Sequence, residues 1–186
     1  SEVEKKIEEM RRTLDEARRR SEESKREIKK ELDEARKRVE ESLKRLRETL
    51  KKVEDERRRG DTDKEELKRR IERIKRELDE NHKRLKKELE EIKERLRRKN
   101  EEHHKEIERI KRELEKKLKD LERKGLEERL LRRVAKVVED VKRELDRLDE
   151  DHTRAVEEVE RALDDLLKKH EDVVREVKTE LEKLLK

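Results

Sequence analysis

Apolar residues recur along the chain at one helical period. From Leu67 to Leu121 the predicted inward stripe takes fifteen steps over 54 residues, and from Leu130 to Leu184 it does so again. This average of 3.6 residues per step keeps one face of a straight α-helix turned inward, whereas a 3.5-residue repeat would impose a left-handed supercoil. The pattern therefore predicts long, nearly straight helices, each with one buried face.

Two glycines and two capping sequences divide this pattern into three helices. Gly60 and Gly125 suit the left-handed residue that follows a helix end, and S/T-x-x-E capping boxes begin at Ser1 and Thr62. The predicted helices span residues about 2–59, 63–124 and 126–186. Short connections make neighbouring helices antiparallel. We therefore expect one domain, residues 1–186, that is all-α: an elongated, nearly straight antiparallel three-helix bundle about 90 Å long.

The composition supports a thin helical fold. Charged residues make up 64% of the chain and hydrophobic residues 26%, with no aromatic residue and no proline, which is typical of long helices. We find no targeting signal and no apolar run long enough to span a membrane, so we expect a soluble protein with no membrane partner, of unknown localisation. The absence of cysteine excludes disulfides and thiolate chemistry.

The charge of the chain does not indicate a nucleic-acid partner. The net charge of +5 arises from 62 basic and 57 acidic residues that are mixed at short range. A phosphate-binding surface needs basic side chains concentrated on one face, and single-strand binders usually add aromatic residues for base stacking. The simpler interpretation of these charges is a solvated surface with many i,i+4 ion pairs. We therefore expect no nucleic-acid binding.

Polar residues interrupt the apolar stripe at ordered positions. If the chain folds back at Gly60, facing residues of helices 1 and 2 have numbers that sum to about 120. If it folds back at Gly125, facing residues of helices 2 and 3 have numbers that sum to about 250. The first predicted layer contains Ser21, Ser24, Asn100, His103 and His152. The second contains Ser42, Asn81 and His170. Both Ser24 to Ser42 and His152 to His170 are separations of 18 residues, which is five helical turns.

Such layers are expected to act on register. A buried hydroxyl, amide or imidazole without a partner costs about 1–3 kcal/mol, so the layers persist only as connected hydrogen-bond networks. Sliding one helix by a turn would place an unpaired asparagine or histidine against leucine. The sequence thus predicts buried polar networks that select one helix register.

These features together resemble a de novo designed helical bundle with buried hydrogen-bond networks. The resemblance covers the whole chain and rests on the 18-residue spacing, the near-equal helices, the aromatic-free and cysteine-free composition and the single-glycine loops. It implies a structural scaffold without a natural biochemical activity. The alternatives are a spectrin-like repeat, which normally carries core aromatics, and a single charged stalk helix, which would not need Gly60 and Gly125.

Five histidines raise the questions of metal binding and catalysis. Each layer holds at most two inward histidines, whereas a tetrahedral structural zinc site needs four converging ligands, so we expect no metal and no cofactor. His82 and His104 lie one position off the stripe and are predicted to be boundary or exposed residues. A narrow helical seam offers no catalytic cleft, and a serine beside a histidine is better interpreted as a network pair. We expect no enzyme.

A second apolar stripe on helix 3 leaves two hypotheses open. Its members are Leu131, Val138, Val156, Leu167, Val174 and Leu185. In one hypothesis the chain needs no partner, and this stripe widens the core. In the other it is an interface for self-association or for a helical partner. A further hypothesis is a pH response through the inward histidines, since no inward carboxylate lies near them in the stripe.

Overall fold

The computed structural model describes residues 1–60 and 62–186, and three helices account for nearly all of them. These are α1 (Glu2–Arg59), α2 (Lys64–Arg123) and α3 (Glu128–Lys183). No strand occurs among the described residues. The prediction of an all-α three-helix bundle is confirmed. Within the described part of the chain, no helix is both long and apolar enough to cross a membrane.

Side-chain caps begin the first two helices. The Glu4 N–H donates to the Ser1 hydroxyl at 3.3 Å, as the capping sequence predicts. In α2 the Glu66 N–H donates to the Asp63 carboxylate at 2.8 Å. The predicted cap at Thr62 is therefore wrong by one residue. An aspartate at this position both accepts a backbone hydrogen bond and places negative charge at the positive end of the helix dipole.

Both glycines end a helix in the left-handed conformation. Gly60 has φ 69° and Gly125 has φ 71°. Their N–H groups donate at 3.2 Å to the carbonyl oxygens of Arg57 and Glu122 respectively. A Cβ atom on either glycine would meet nothing within 4 Å. The positive φ, and not a lack of space, is therefore what favours glycine here.

The described residues form two compact units, each with a segment of all three helices. The first unit contains residues 1–29 and 95–158, and the second contains residues 30–94 and 159–186. The prediction of a single domain stays a prediction. The core of the first unit includes Met10, Leu114 and Leu145, and that of the second includes Ile71, Leu89 and Leu163.

Ion pairs show the same antiparallel register inside each unit. In the first unit Arg20 pairs with Glu106 at 3.4 Å, and in the second Arg38 pairs with Glu88 at 3.4 Å; both pairs have residue numbers that sum to 126. Between α2 and α3 the corresponding pairs sum to 257. They are Lys111 with Asp146 and Lys93 with Asp164.

These ion-pair sums exceed the predicted values of about 120 and 250 by six or seven, whereas side-chain hydrogen bonds inside the seams have sums of 123 and 124 between α1 and α2 and 252 between α2 and α3, closer to the prediction. The prediction placed each turn at its glycine, but the chain continues for several residues past the glycine before the next helix begins. α3 begins at Glu128, two residues later than predicted, because the Glu127 carbonyl accepts the first backbone hydrogen bonds of the helix, from Leu130 and Leu131 at 3.0 Å. Longer turns therefore move the pairing of the inward residues by about one helical turn or less, without changing its direction.

The second apolar stripe of α3 lies largely inside the units. Val138, Val156 and Val174 are 5% exposed or less. Leu131, Leu167 and Leu185 are half-buried. No large hydrophobic side chain is exposed within residues 1–60 and 62–186. A helix that packs against two neighbours needs a wider apolar face than one seam requires, and this explains the second stripe.

Candidate functional site: two buried polar sites

Polar side chains meet at one place in each unit. We call them the first polar site and the second polar site, in the first and second unit respectively. The first contains Ser21, Ser24, Asn100, His103, His104, Asp149, His152 and Thr153. The second contains Ser42, Asn81, His82 and His170.

One chain of hydrogen bonds in the first polar site ends on a carboxylate. The His103 Nδ1–H donates to Asp149 Oδ1 at 3.2 Å. His103 Nε2 is then the acceptor for the Ser21 hydroxyl, at 2.7 Å. The exposed His104 donates from Nδ1 to Asp149 Oδ2 at 2.5 Å. Asp149 therefore fixes the tautomer of His103 and joins a buried imidazole to a surface one.

A second chain in the first polar site contains only neutral partners. The His152 Nδ1–H donates to the Asn100 carbonyl oxygen at 2.8 Å. This leaves His152 Nε2 to accept from the Ser24 hydroxyl at 2.7 Å. The Asn100 amide nitrogen donates to the Thr153 hydroxyl at 3.2 Å. All three helices are connected, and His152 is 0% exposed.

The two chains of the first polar site touch through their imidazole rings. The rings of His103 and His152 stack with centroids 4.0 Å apart and planes inclined by 7°. Stacking of neutral rings is compatible with this geometry, but two imidazolium rings at that distance would repel. A proton on one of these histidines therefore disfavours a proton on the other.

The second polar site is a single chain of hydrogen bonds. The Asn81 amide donates to Ser42 Oγ at 3.1 Å, and Ser42 Oγ lies 2.7 Å from His170 Nε2. His170 Nδ1 lies 2.8 Å from His82 Nδ1, so one of these imidazoles donates and the other accepts. His170 is 0% exposed, and His82 is half-buried. This pair cannot carry a proton on all four ring nitrogens without losing its hydrogen bond.

Burial lowers the pKa of four histidines and an ion pair raises the pKa of the fifth. Burial, together with the neighbouring histidine, lowers the pKa of His152 and of His170 to about 4. Burial also lowers the pKa of His82, and it lowers the pKa of His103 despite the opposing effect of Asp149. The exposed His104 has a raised pKa because of its hydrogen bond to the Asp149 carboxylate.

The structure places every predicted polar residue in one of these two sites. It differs from the sequence interpretation in two respects. Asp149 lies beside His103, so the expectation of no carboxylate near the inward histidines is wrong for the first polar site. His82 joins the second polar site through His170. Asp149 and Thr153 were missed as network members because both lie beside the apolar stripe. Asp149 precedes His152 by about one turn of α3, and Thr153 follows it directly.

The chain Ser21–His103–Asp149 has the order of a hydrolase triad without the surroundings of one. Ser21 is 1% exposed and lies inside α1, where backbone N–H groups are bonded within the helix. No pair of free backbone donors is therefore positioned for an oxyanion. Among residues 1–60 and 62–186, no three histidine or carboxylate side chains converge as metal ligands.

Comparison with solved structures finds a likeness to a designed helical bundle. No family model and no curated protein matches this chain. The chain is similar to a solved structure described as a computationally designed three helix bundle, with 19% sequence identity over 99% of this chain and 86% of that chain and a TM-score of 0.45. A likeness of this size is not a basis for function, and the fold is defined by the helices and contacts described above.

Proposed function

We propose that this chain is a de novo designed structural scaffold, one domain without enzymatic activity, in which the two polar sites select a single helix register. The observation that carries the proposal is the repetition of one motif. Ser24 with His152 and Ser42 with His170 have the same 2.7 Å contact and the same separation of 128 residues. Each member of the second pair follows its counterpart by 18 residues.

The energetics of burial support a role in specificity. An apolar core would stabilise the bundle as well or better. When all the members of a buried polar network are replaced together by apolar residues, the free energy of unfolding often stays the same or rises. A polar site penalises other registers instead, because a shift by one turn strands buried donors and acceptors against leucine or valine. The repeat of the motif in both units would apply this penalty twice.

The experiment replaces the second polar site and measures register within the second unit. Ser42→Ala, Asn81→Leu and His170→Leu remove its buried polar groups, and His82→Gln keeps a group that water can solvate. Because the chain has no cysteine, spin labels can be attached at Arg38→Cys and Glu88→Cys, which replace a contacting pair. Pulsed electron resonance then gives the distribution of distances between the labels.

We expect one narrow distance in the parent and an added population in the site variant, displaced along the helix by one turn, about 5.4 Å. Leu89→Ile is the control, since it alters the apolar core of the same unit without touching a polar group. A site variant with the same single distance as the parent would remove register selection from the proposal.

A second candidate function is a response to acidification. It is favoured by the lowered pKa of His152 and of His170, each about 4, in side chains with no exposed surface. Protonation of these rings would oppose folding, so the bundle would loosen at low pH. The self-association or helix-binding alternative through the second α3 stripe is less supported, since its central valines are buried. The scaffold itself requires no cofactor, nucleic acid, membrane or other partner.

A further inference from the structure

A groove between α1 and α2 in the second unit exposes polar groups of the second polar site. It has a volume of about 350 Å³, at the lower end of the range of small-ligand pockets, about 300–1,000 Å³. Ser42 and Asn81 form part of its lining. Asn81 uses one amide hydrogen for Ser42, so its second amide hydrogen is available to a ligand.

Arginines flank these polar groups on both helices. Arg45 on α1 and Arg84 on α2 line the groove, and neither forms an ion pair or hydrogen bond with any residue in the described part of the chain. Arg38 also lines the groove but is already paired with Glu88 at 3.4 Å. Two guanidinium groups, with up to five N–H donors each, therefore face solvent beside a neutral donor.

The corresponding groove of the first unit is charged in the opposite sense. It lies between α1 and α2 beside Ser21 and His103, with a volume of about 210 Å³. Its arginines are engaged, since Arg20 pairs with Glu16 at 3.0 Å and Arg109 pairs with Glu106 at 3.0 Å. The second groove has three arginines and two glutamates in its lining, whereas the first has two arginines and three glutamates.

We propose that the groove of the second unit binds a small multivalent oxyanion of the phosphate class, held by Arg45 and Arg84 and by the Asn81 amide. Planar guanidinium groups bind phosphate oxygens through paired, charge-assisted hydrogen bonds, and two of them on opposite walls suit an anion with more than one charged end. The Asn81 amide adds a neutral donor between the two arginines. This inference goes beyond the scaffold role and does not depend on it.

The test uses pyrophosphate and a pair of charge-matched variants of the full chain. Binding is measured by calorimetry at pH 7.5, where His82 and His170 of the second polar site are neutral, and at fixed ionic strength, because charge attraction depends on salt. Arg45→Gln/Arg84→Gln removes the two unpaired guanidinium groups. Arg20→Gln/Arg109→Gln removes the same charge from the first unit. Circular dichroism establishes that both variants remain helical.

We expect the parent to bind pyrophosphate at one site per chain. The Arg45→Gln/Arg84→Gln variant should have a Kd at least about 10-fold higher. The Kd of the Arg20→Gln/Arg109→Gln variant should differ from that of the parent by less than about 2-fold. An equal loss in both variants would show attraction by net charge alone and overturn the proposal. Absence of pyrophosphate binding by the folded parent would overturn it as well. Nitrogen-15 spectra of the arginine side chains give an independent readout, with shifts expected for Arg45 and Arg84.

Discussion

The two polar sites share one motif but end on different groups. In each, a serine hydroxyl lies 2.7 Å from the Nε2 atom of a fully buried histidine. The first polar site also contains a carboxylate, Asp149, in hydrogen-bond contact with His103 and His104. The second ends on His82, and the hydrogen bonds between its four residues include no carboxylate. The first site can therefore hydrogen-bond a protonated imidazole to a carboxylate, whereas in the second site Glu171 and Asp79 favour protonation of His82 through their charge alone.

A repeated structural motif therefore need not respond to pH in the same way in both places. The groups around His152 include His103, Lys25 and Lys99, which oppose its protonation, and Asp149, which favours it. Among the described residues, His82 is the titratable group that acts on His170, and it opposes protonation. His82 in turn lies near Glu171 and Asp79, which favour its own protonation, and near Lys86 and Lys178, which oppose it. Similar pKa values near 4 therefore arise from different surroundings. Changes to Asp149 should affect the first polar site alone.

The largest expected effect is a loss of stability on acidification. His152 and His170 have a pKa of about 4 in the folded protein, whereas a histidine in the unfolded chain has a pKa of about 6.5. Between these two pH values the unfolded chain therefore binds more protons than the folded protein does. The contribution of His152 and of His170 is fully present above pH about 6.5 and is lost as pH falls to about 4, by about 3 kcal/mol each. Denaturant unfolding followed by circular dichroism at pH 7.5 and 4.0 measures it.

The histidine variants separate this effect from that of surface carboxylates. His170→Asn should reduce the pH dependence by about 3 kcal/mol, and His152→Asn/His170→Asn should reduce it further. His104→Asn is the matched control, because its pKa is raised and its side chain is exposed, so it should not reduce the loss. Equal pH dependence in the parent and the His152→Asn/His170→Asn variant would contradict the account.

A single replacement in the second polar site should cost more than a complete one. His170→Leu leaves Ser42 and His82 without their shared partner, at about 1–3 kcal/mol for each group that remains buried and unpaired. The four-residue replacement used to test register removes those groups together and should be close to neutral at pH 7.5. Chemical unfolding compares the two variants. If both melt at the same denaturant concentration, the hydrogen bonds have no measurable energetic coupling.

Substitutions at the helix ends should have similar effects on stability in the two units. Gly60→Ala in the second unit and Gly125→Ala in the first should each cost about 1 kcal/mol, since both glycines have a similar positive φ and free space around Cα. Asp63→Ala should cost a comparable amount, and Thr62→Ala should cost little, because Asp63 is the cap. A larger loss for Thr62→Ala would restore the cap predicted from the sequence.

The smallest expected change is confined to the first polar site. Asp149→Asn removes the negative charge that favours protonated His104 and His103, so the pKa of both histidines should fall. The pKa of His170 and of His82 should not change. Proton chemical shifts of the imidazoles over a pH titration measure all four. A shift in the second polar site of the same size would contradict the assignment of Asp149 to the first.

Much of the fold could be predicted from the sequence because helix period and glycine position are local signals. The inward positions of His152 and His170 follow from a 3.6-residue period, whatever the partner helix. The partners themselves depend on register, and register depends on how many residues each turn consumes. The contacts of His103 with Asp149 and of His82 with His170 have residue numbers that sum to 252, close to the predicted 250. They were not foreseen because Asp149 and His82 lie beside the inward stripe and not in it.

The roles of the sites could not be predicted to the same depth, for a physical reason. Asp149 interrupts the second α3 stripe in the sequence, and only its distance to His103 shows that it belongs to a hydrogen-bond network. A hydrogen bond depends on tenths of an ångström and on tautomer, whereas a periodic pattern defines only which face a residue occupies. Sequence thus indicates which polar groups are buried, and geometry decides which are paired.

The most direct test of the account is a titration of the five histidines by long-range proton–nitrogen correlation spectra between pH 7.5 and 3.5. We expect His152 to be the Nδ1–H tautomer, and His152 and His170 to stay neutral until about pH 4. We expect His104 to titrate above the ordinary histidine value. Titration of His152 and His170 near pH 6.5 in the folded protein would contradict their place in buried hydrogen-bond networks.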